Sequence, residues 1–181
     1  MSGTQTTYRA DYIPPSQDLG NAATETFFLN SLGKTAFVNL QTDGQFKNKR
    51  FVLNLAGRVA TTSNLTFTIN AYLGTTGTAT DKLIFSSGAL TCNTKKTNWH
   101  LDVNCFWDGD SQLINGSGFG QLDNQQIGSG GLTNVPTLDP SLHNTSNSFQ
   151  AVRYIVTVSG TFSGSSAGNH AFLDVLEVTL Q

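Results

Sequence analysis

Residues 98–110, "NWHLDVNCFWDGD", hold both tryptophans, one of the two cysteines, a histidine and three aspartates, in a 181-residue chain of which 12% is charged. Side chains of these types ligate metals, move protons or stack on sugars, so their spacing decides which chemistry is open to them. His100 and Asp102 stand at i and i+2, on one face of a strand, where a hydrogen bond or one edge of a metal site can form. A zinc site takes three or four His, Cys or acidic ligands. The other histidines, His143 and His170, have no ligand spacing around them. "DGDSQLING" (108–116) starts like a calcium loop, but that pattern needs Gly at its sixth position and Glu at its twelfth. Leu113 and Phe119 occupy those positions, so an Asp-Gly turn between strands is the better reading.

Other chemistries find less. "GSGFG" (116–120) has the wrong spacing for a dinucleotide fingerprint and reads as loop glycine. There is no phosphate-binding P-loop. Asp102 with Asp108 or Asp110 can be nominated as a carboxylate pair for glycoside hydrolysis, yet nothing singles them out. The reading assigns no catalytic residue, no cofactor and no metal, and expects a protein that is not an enzyme.

Alternation then places these residues on an element. On a strand, Trp99, Leu101, Val103, Cys105 and Trp107 point one way, and His100, Asp102, Asn104 and Phe106 the other. The first set suits a core face and the second a solvated one. What stays open for a ligand is Trp107, Asp108 and Asp110, where the strand leaves the core.

The same period of two recurs along the chain. In "RFVLNLAGRVA" (50–60), Phe51, Leu53, Leu55 and Val59 share one face, with Asn54 and Arg58 on the other. In "NLTFTINAYLG" (64–74), Leu65, Phe67, Ile69, Ala71 and Leu73 alternate with Thr66, Thr68, Asn70 and Tyr72. The short "TTS" link predicts a hairpin between these two. "KLIFSSGAL" (82–90) with "NWHLDVNCFW" (98–107) is read as a second hairpin. "FQAVRYIVTVSGTF" (149–162) with "HAFLDVLEVTLQ" (170–181), across "SGSSAGN", is read as a third. Shorter strands are expected near 26–30, 35–40 and 111–115. No segment keeps an i, i+3, i+4 apolar pattern for three turns, so almost no helix is predicted. About eight antiparallel strands suit an all-β two-sheet sandwich of jelly-roll type, with an immunoglobulin-like sandwich as the alternative.

Composition agrees. Thr, Ser, Asn, Gln and Gly stand where charged residues usually do, a mixture of strand and turn formers. At 181 residues one domain is expected, since splitting is favoured beyond about 250. A net charge of −2 argues against nucleic acid, and "KNKR" (47–50) reads as a solvated strand entry. No run approaches the roughly 18 apolar residues of a membrane span, and "MSGTQTTYRADYIPP" lacks the apolar segment of a signal peptide.

Residues 1–25 lack periodicity and read as an extended arm before a domain at 26–181. Its Tyr8, Arg9, Tyr12, Ile13, Pro14 and Pro15 must pack on their own domain or dock on a neighbour, and the sequence leaves both open. Residues 116–148 show little alternation and read as a long loop, anchored by Leu132, Val135, Leu138 and Leu142. In the second hairpin Cys92 would lie opposite about residue 99, leaving Cys105 roughly 20 Å away. A disulfide needs Cα atoms within about 7 Å, so two free, buried thiols are expected.

The run "FVLNLAGRVATTSNLTFTINAYLGTTGTATDKLIFSSGAL", followed by "NWHLDVNCFWDGDSQLING", resembles a pattern in structural proteins of tailed bacteriophages. There an apolar strand ending in an Ala-Gly-Arg-Val-like step precedes a short polar turn, a strand of the "NLTFTINAYLG" type and then a "W-x-L" strand. The chain resembles the β-sandwich head decoration (cement) proteins of that class over about residues 50–116. The resemblance implies a non-enzymatic virion protein, assembled in the host cytoplasm, that binds the major capsid protein. Attachment to a repeated lattice favours a symmetric homo-oligomer, with a trimer preferred. The arm and the 116–148 loop are then the expected interface. A different class of function, a carbohydrate-binding head of a tail or fibre, would stack sugars on Trp107, Tyr72 and Phe119.

Overall fold

The computed structural model describes residues 6–9, 18–29, 37–40, 49–61, 65–74, 76–92, 94–108, 113–122, 125–127 and 154–180. They form twelve strands and no helix: β1 (Thr6–Arg9), β2 (Thr26–Phe27), β3 (Phe37–Leu40), β4 (Lys49–Ala60), β5 (Thr66–Gly74), β6 (Lys82–Ser86), β7 (Leu90–Thr91), β8 (Thr97–Asp108), β9 (Leu113–Leu122), β10 (Gln125–Ile127), β11 (Tyr154–Phe162) and β12 (His170–Leu180). One sheet has the order β1-β12-β4-β8-β9-β10 and the other β2-β11-β5-β6. In the second, β3 continues beside β11 beyond β2, and β7 beside β5 beyond β6. Every pairing is antiparallel.

The core is one cluster fed by both sheets. Phe51, Leu53, Leu55 and Val59 of β4 and Trp99, Leu101, Val103 and Cys105 of β8 meet Phe67, Ile69, Ala71 and Leu73 of β5 and Val156 and Val158 of β11. The period-2 faces read from the sequence are therefore the buried ones. Each strand hides one face against the opposite sheet, which is what a sandwich requires.

The three expected hairpins are not formed. β4 and β5 lie in different sheets, as do β6 and β8, and β11 and β12. The reason is that alternation tells a strand which face to bury but not which neighbour to pair with. Sheets pack about 10 Å apart, a gap that some three extended residues span. A short polar link thus serves an arch between sheets as well as a turn within one. The hairpins that do form are β5–β6, β8–β9 and β9–β10.

Residues 113–122, read in large part as loop, are strand β9, and 125–127 are β10; 128–153 lie outside the described residues. Gly116, Gly118 and Gly120 stand opposite Cys105, Val103 and Leu101, all buried. A Cβ on Gly118 would sit 2.1 Å from Cε2 of Phe85, and one on Gly120 2.3 Å from the His100 carbonyl oxygen. Phe85, reaching across from β6, fills the space a side chain would need at Gly118, and the neighbouring β8 backbone and Leu101 fill it at Gly120. By composition alone this stripe of glycines resembles a loop.

The N-terminal segment belongs to the sandwich. β1 pairs with Glu177–Leu180 of β12, and the Leu19 N–H donates to the Ala171 carbonyl further along the same edge (3.0 Å). At Gly20, with φ of 56°, the chain turns towards the second sheet. There the Phe162 N–H donates to the Ala22 carbonyl (2.8 Å), β2 pairs with Ser159 and Gly160, and β3 with Tyr154–Thr157. One segment therefore lines an edge of each sheet. Phe28, fully buried, pins it into the core.

Candidate functional site

The two outer faces of the sandwich differ. On the second sheet, β5 presents Asn70 and Tyr72 beside Ser159 and Thr157 of β11, as the register sets them. Glu25, from the N-terminal segment, lies over them. Its Oε1 accepts hydrogen bonds from Asn70 Nδ2 (2.7 Å), the Tyr72 hydroxyl (2.6 Å) and Ser159 Oγ (2.6 Å). The Phe27 ring packs on Tyr72 with centroids 5.5 Å apart. Under this cover Tyr72 is 6% exposed, and Thr157 and Ser159 are fully buried.

The charges follow from those contacts. Burial works to raise the Glu25 carboxyl, but the hydrogen bonds from Ser159, Tyr72 and Asn70 outweigh it and leave it below its ordinary value. Burial, then the hydrogen bond and charge of Glu25, push the Tyr72 hydroxyl up to about 12. A carboxylate oxygen holding three donors and a phenol this weakly acidic make a clamp rather than an acid–base pair. Tyr72 is thereby withdrawn as a sugar-stacking ring. Nothing local in the sequence pointed to Glu25, because its partners lie 45 to 134 residues away.

The same segment is tied at its other end. Asp18 Oδ1 accepts the N–H groups of Gly20 (2.9 Å) and Ala171 (3.0 Å), and Oδ2 meets His170 Nδ1 at 2.5 Å. The Ser166 N–H donates to Asn21 Oδ1. Beneath, the buried Thr61 hydroxyl donates to Asn169 Oδ1 (2.7 Å), and Asn169 Nδ2 donates to the Gly164 carbonyl (2.9 Å). His170, which carried no ligand spacing in the sequence, is a hydrogen-bond partner of Asp18 that docks this segment.

On the first sheet the outer face of β8 carries Asn98, His100, Asp102, Asn104 and Phe106, with Asn54 of β4 opposite Asp102. Phe106 is 39% exposed; Asn54, Asn98, His100 and Asn104 are exposed, and Asp102 is half-buried. None of these polar side chains hydrogen-bonds another described residue. Trp107 and Asp108 end β8, in register with Ile114 and Leu113 of β9. Asp110 lies outside the described residues, as do Tyr12, Ile13, Pro14, Pro15, Leu132, Val135, Leu138 and Leu142, while Tyr8 and Arg9 stand in β1 opposite Val178 and Glu177. Among the described residues, no three His, Cys, Asp or Glu side chains converge as a metal ion would require.

At one end of this face Arg58 forms a two-pronged ion pair with Asp174, Nε to Oδ2 at 2.7 Å and Nη2 to Oδ1 at 2.6 Å. The Asp174 hydrogen bonds raise the Arg58 guanidinium further above its ordinary value. Phe172 lies between two cations, Arg58 at 4.8 Å and Lys96 at 4.7 Å from its ring centre. Asp174 is the extra residue of a β-bulge between Leu173 and Val175. The sequence carries the trace of it: buried Ala171 and Leu173 are followed by buried Leu176 and Val178, a phase slip of one.

The cysteines are free and buried, Cys92 just after β7 and Cys105 on β8. Cys92 follows a strand of the second sheet and Cys105 lies in the first, so the hairpin register expected to separate them is not formed. Burial pushes their thiols up to about 11 and about 12, so neither is a nucleophile at neutral pH. No protein-family model and no curated protein matches the chain.

Proposed function

We propose that this protein is a non-enzymatic structural subunit of a bacteriophage virion, a decoration protein of the capsid lattice, assembled in the host cytoplasm. The observation that carries the reading is the meeting of the two segments on which the resemblance rests. Gly57, of the Ala-Gly-Arg-Val step on β4, stands opposite Trp99, of the W-x-L strand β8. A Cβ at Gly57 would lie 2.5 Å from Trp99 Cζ2 and 2.0 Å from the Phe172 carbonyl oxygen of the adjoining strand. The glycine and the tryptophan need one another, so the residues that carry the resemblance form a packed unit in this chain.

The lattice contact is assigned to Tyr8, Arg9, Tyr12, Ile13, Pro14 and Pro15 and to Leu132, Val135, Leu138 and Leu142, in a trimer on the major capsid protein. Because β1 and Asp18 are hydrogen-bonded to β12, deleting residues 1–20 would also lower the melting temperature. Point substitutions separate the two effects. Tyr12→Ala with Ile13→Ala is expected to reduce occupancy on purified capsids and leave melting unchanged. Quantitative mass spectrometry of the virion that carries this chain should count hundreds of copies, and a handful of copies or none would overturn the assignment.

A further inference from the structure

We propose that the outward column of β8, with Asn54 beside it, is a binding face for an uncharged oligosaccharide. β8 is the fourth of six strands in its sheet, where Asn and Asp are poor choices for strand stability. Yet four of the residues here are Asn54, Asn98, Asp102 and Asn104, and solvated outer faces elsewhere in the chain carry threonine, as at Thr66, Thr68 and Thr179. A local rule broken in the middle of a regular element, without a compensating bond to another described residue, is the usual mark of a site kept for function. The contrast with Asn70, Tyr72 and Ser159 sharpens the point, since the same fold ties those groups to Glu25.

The chemistry of the column selects the ligand. Nucleic acid needs a cluster of free cations, but Arg58 is committed to Asp174, Lys96 lies over the Phe172 ring, and Arg50, opposite Phe106, shares this face with Asp102 and Glu177. A protein partner needs an apolar centre ringed by polar groups. Among the described residues the exposed large hydrophobics are Phe106, at the end of the column, and Leu83, which belongs to the other sheet. Sugar hydroxyls both donate and accept, and amides match them by offering a donor and an acceptor from one side chain. Asp102 accepts from hydroxyls, His100 does either, and the Phe106 ring takes the C–H face of a sugar. From residue 98 to residue 106 the column is about 26 Å long at ~3.3 Å per residue, which suits several sugar units rather than one. The assignment uses no residue of the proposed lattice interface, so it stands or falls separately from the virion reading.

The test is the full-length protein on a printed array of bacterial and plant glycans, followed by electrophoresis through gels containing soluble starch, galactomannan or xylan. Binding to uncharged glycans is expected. Asn54→Ala with Asn104→Ala should weaken it about tenfold, the loss of one good hydrogen bond, as should Asp102→Ala. Tyr72→Phe, on the opposite face, should leave it unchanged. Amide chemical shifts in the unmodified protein, titrated with the oligosaccharide that binds, should move on β4 and β8, which locates the site should a variant misfold. No binding across the array, binding confined to anionic glycans, or shifts confined to other strands would overturn the proposal.

Discussion

The outer face of the second sheet and that of the first begin from similar residues and end differently. On the second, Asn70, Tyr72 and Ser159 converge on one carboxylate oxygen brought by a segment more than forty residues away in sequence, and Tyr72 and Ser159 are buried. On the first, Asn54, Asn98, His100, Asp102 and Asn104 stay open and make no side-chain bond to a described residue. The difference teaches that polar residues on a strand carry no fixed meaning. Whether they act as a clamp or a surface depends on what the rest of the chain lays over them. A buried donor must find an acceptor or lose its hydration energy uncompensated, so Asn70, Tyr72 and Ser159 became a network once they were covered. The buried Thr157 hydroxyl beside them was left without a partner among the described residues.

Breaking the cover should have the largest effect. Phe28→Ala removes the side chain that pins the segment into the core and should cost about 3–5 kcal/mol, read as a lower midpoint in chemical denaturation. A loss below about 1 kcal/mol would show that the cover is not held from the core. Glu25→Gln comes next. Hydrogen bonds to a charged group are worth about 1.5–3 kcal/mol, and solvent exposure of Glu25 discounts this to about 1 kcal/mol at pH 7. The Glu25 carboxyl is lowered on folding, so its contribution is present above its ordinary 4.5 and is lost as pH falls through the lowered folded value. The gap between wild type and Glu25→Gln should therefore close in acid; a gap constant from pH 7 to pH 3 would contradict the clamp. Tyr72→Phe removes one of the three donors and keeps the ring on Phe27, so it should cost up to about 1 kcal/mol by the same denaturation assay. Smallest is the open face: Asn54→Ala with Asn104→Ala should change stability by less than about 0.5 kcal/mol. A large loss there would mean that these side chains are bonded after all, and the contrast between the faces would disappear.

Much of one level of the structure was legible in the chain. Phe51 to Val59, Phe67 to Leu73 and Trp99 to Cys105 announced their buried faces, since a period of two on a pleated strand leaves no other choice. The free state of both cysteines was also legible, although the pairing used to argue it was wrong. What failed was partnership. The links after β4, before β8 and before β12 looked like hairpin turns and carry the chain between sheets instead. The glycines of β9 looked like loop because their reasons, the Phe85 ring at Gly118 and the β8 backbone at Gly120, come from other strands. Asp174 left a trace, the phase slip in β12, whereas Glu25 left none.

Sequence alone determined the class of element, the side of each strand that faces inward and the scarcity of charge, because these follow from residue type and a two-residue repeat. Tertiary structure decided which strands are neighbours, that residues 6–9 and 18–29 line the edges of both sheets, and which polar face is sealed. Those outcomes depend on contacts between residues scores of positions apart. No local periodicity encodes them; they arise when two sheets close over one core and the remaining chain must satisfy the edges and donors left exposed.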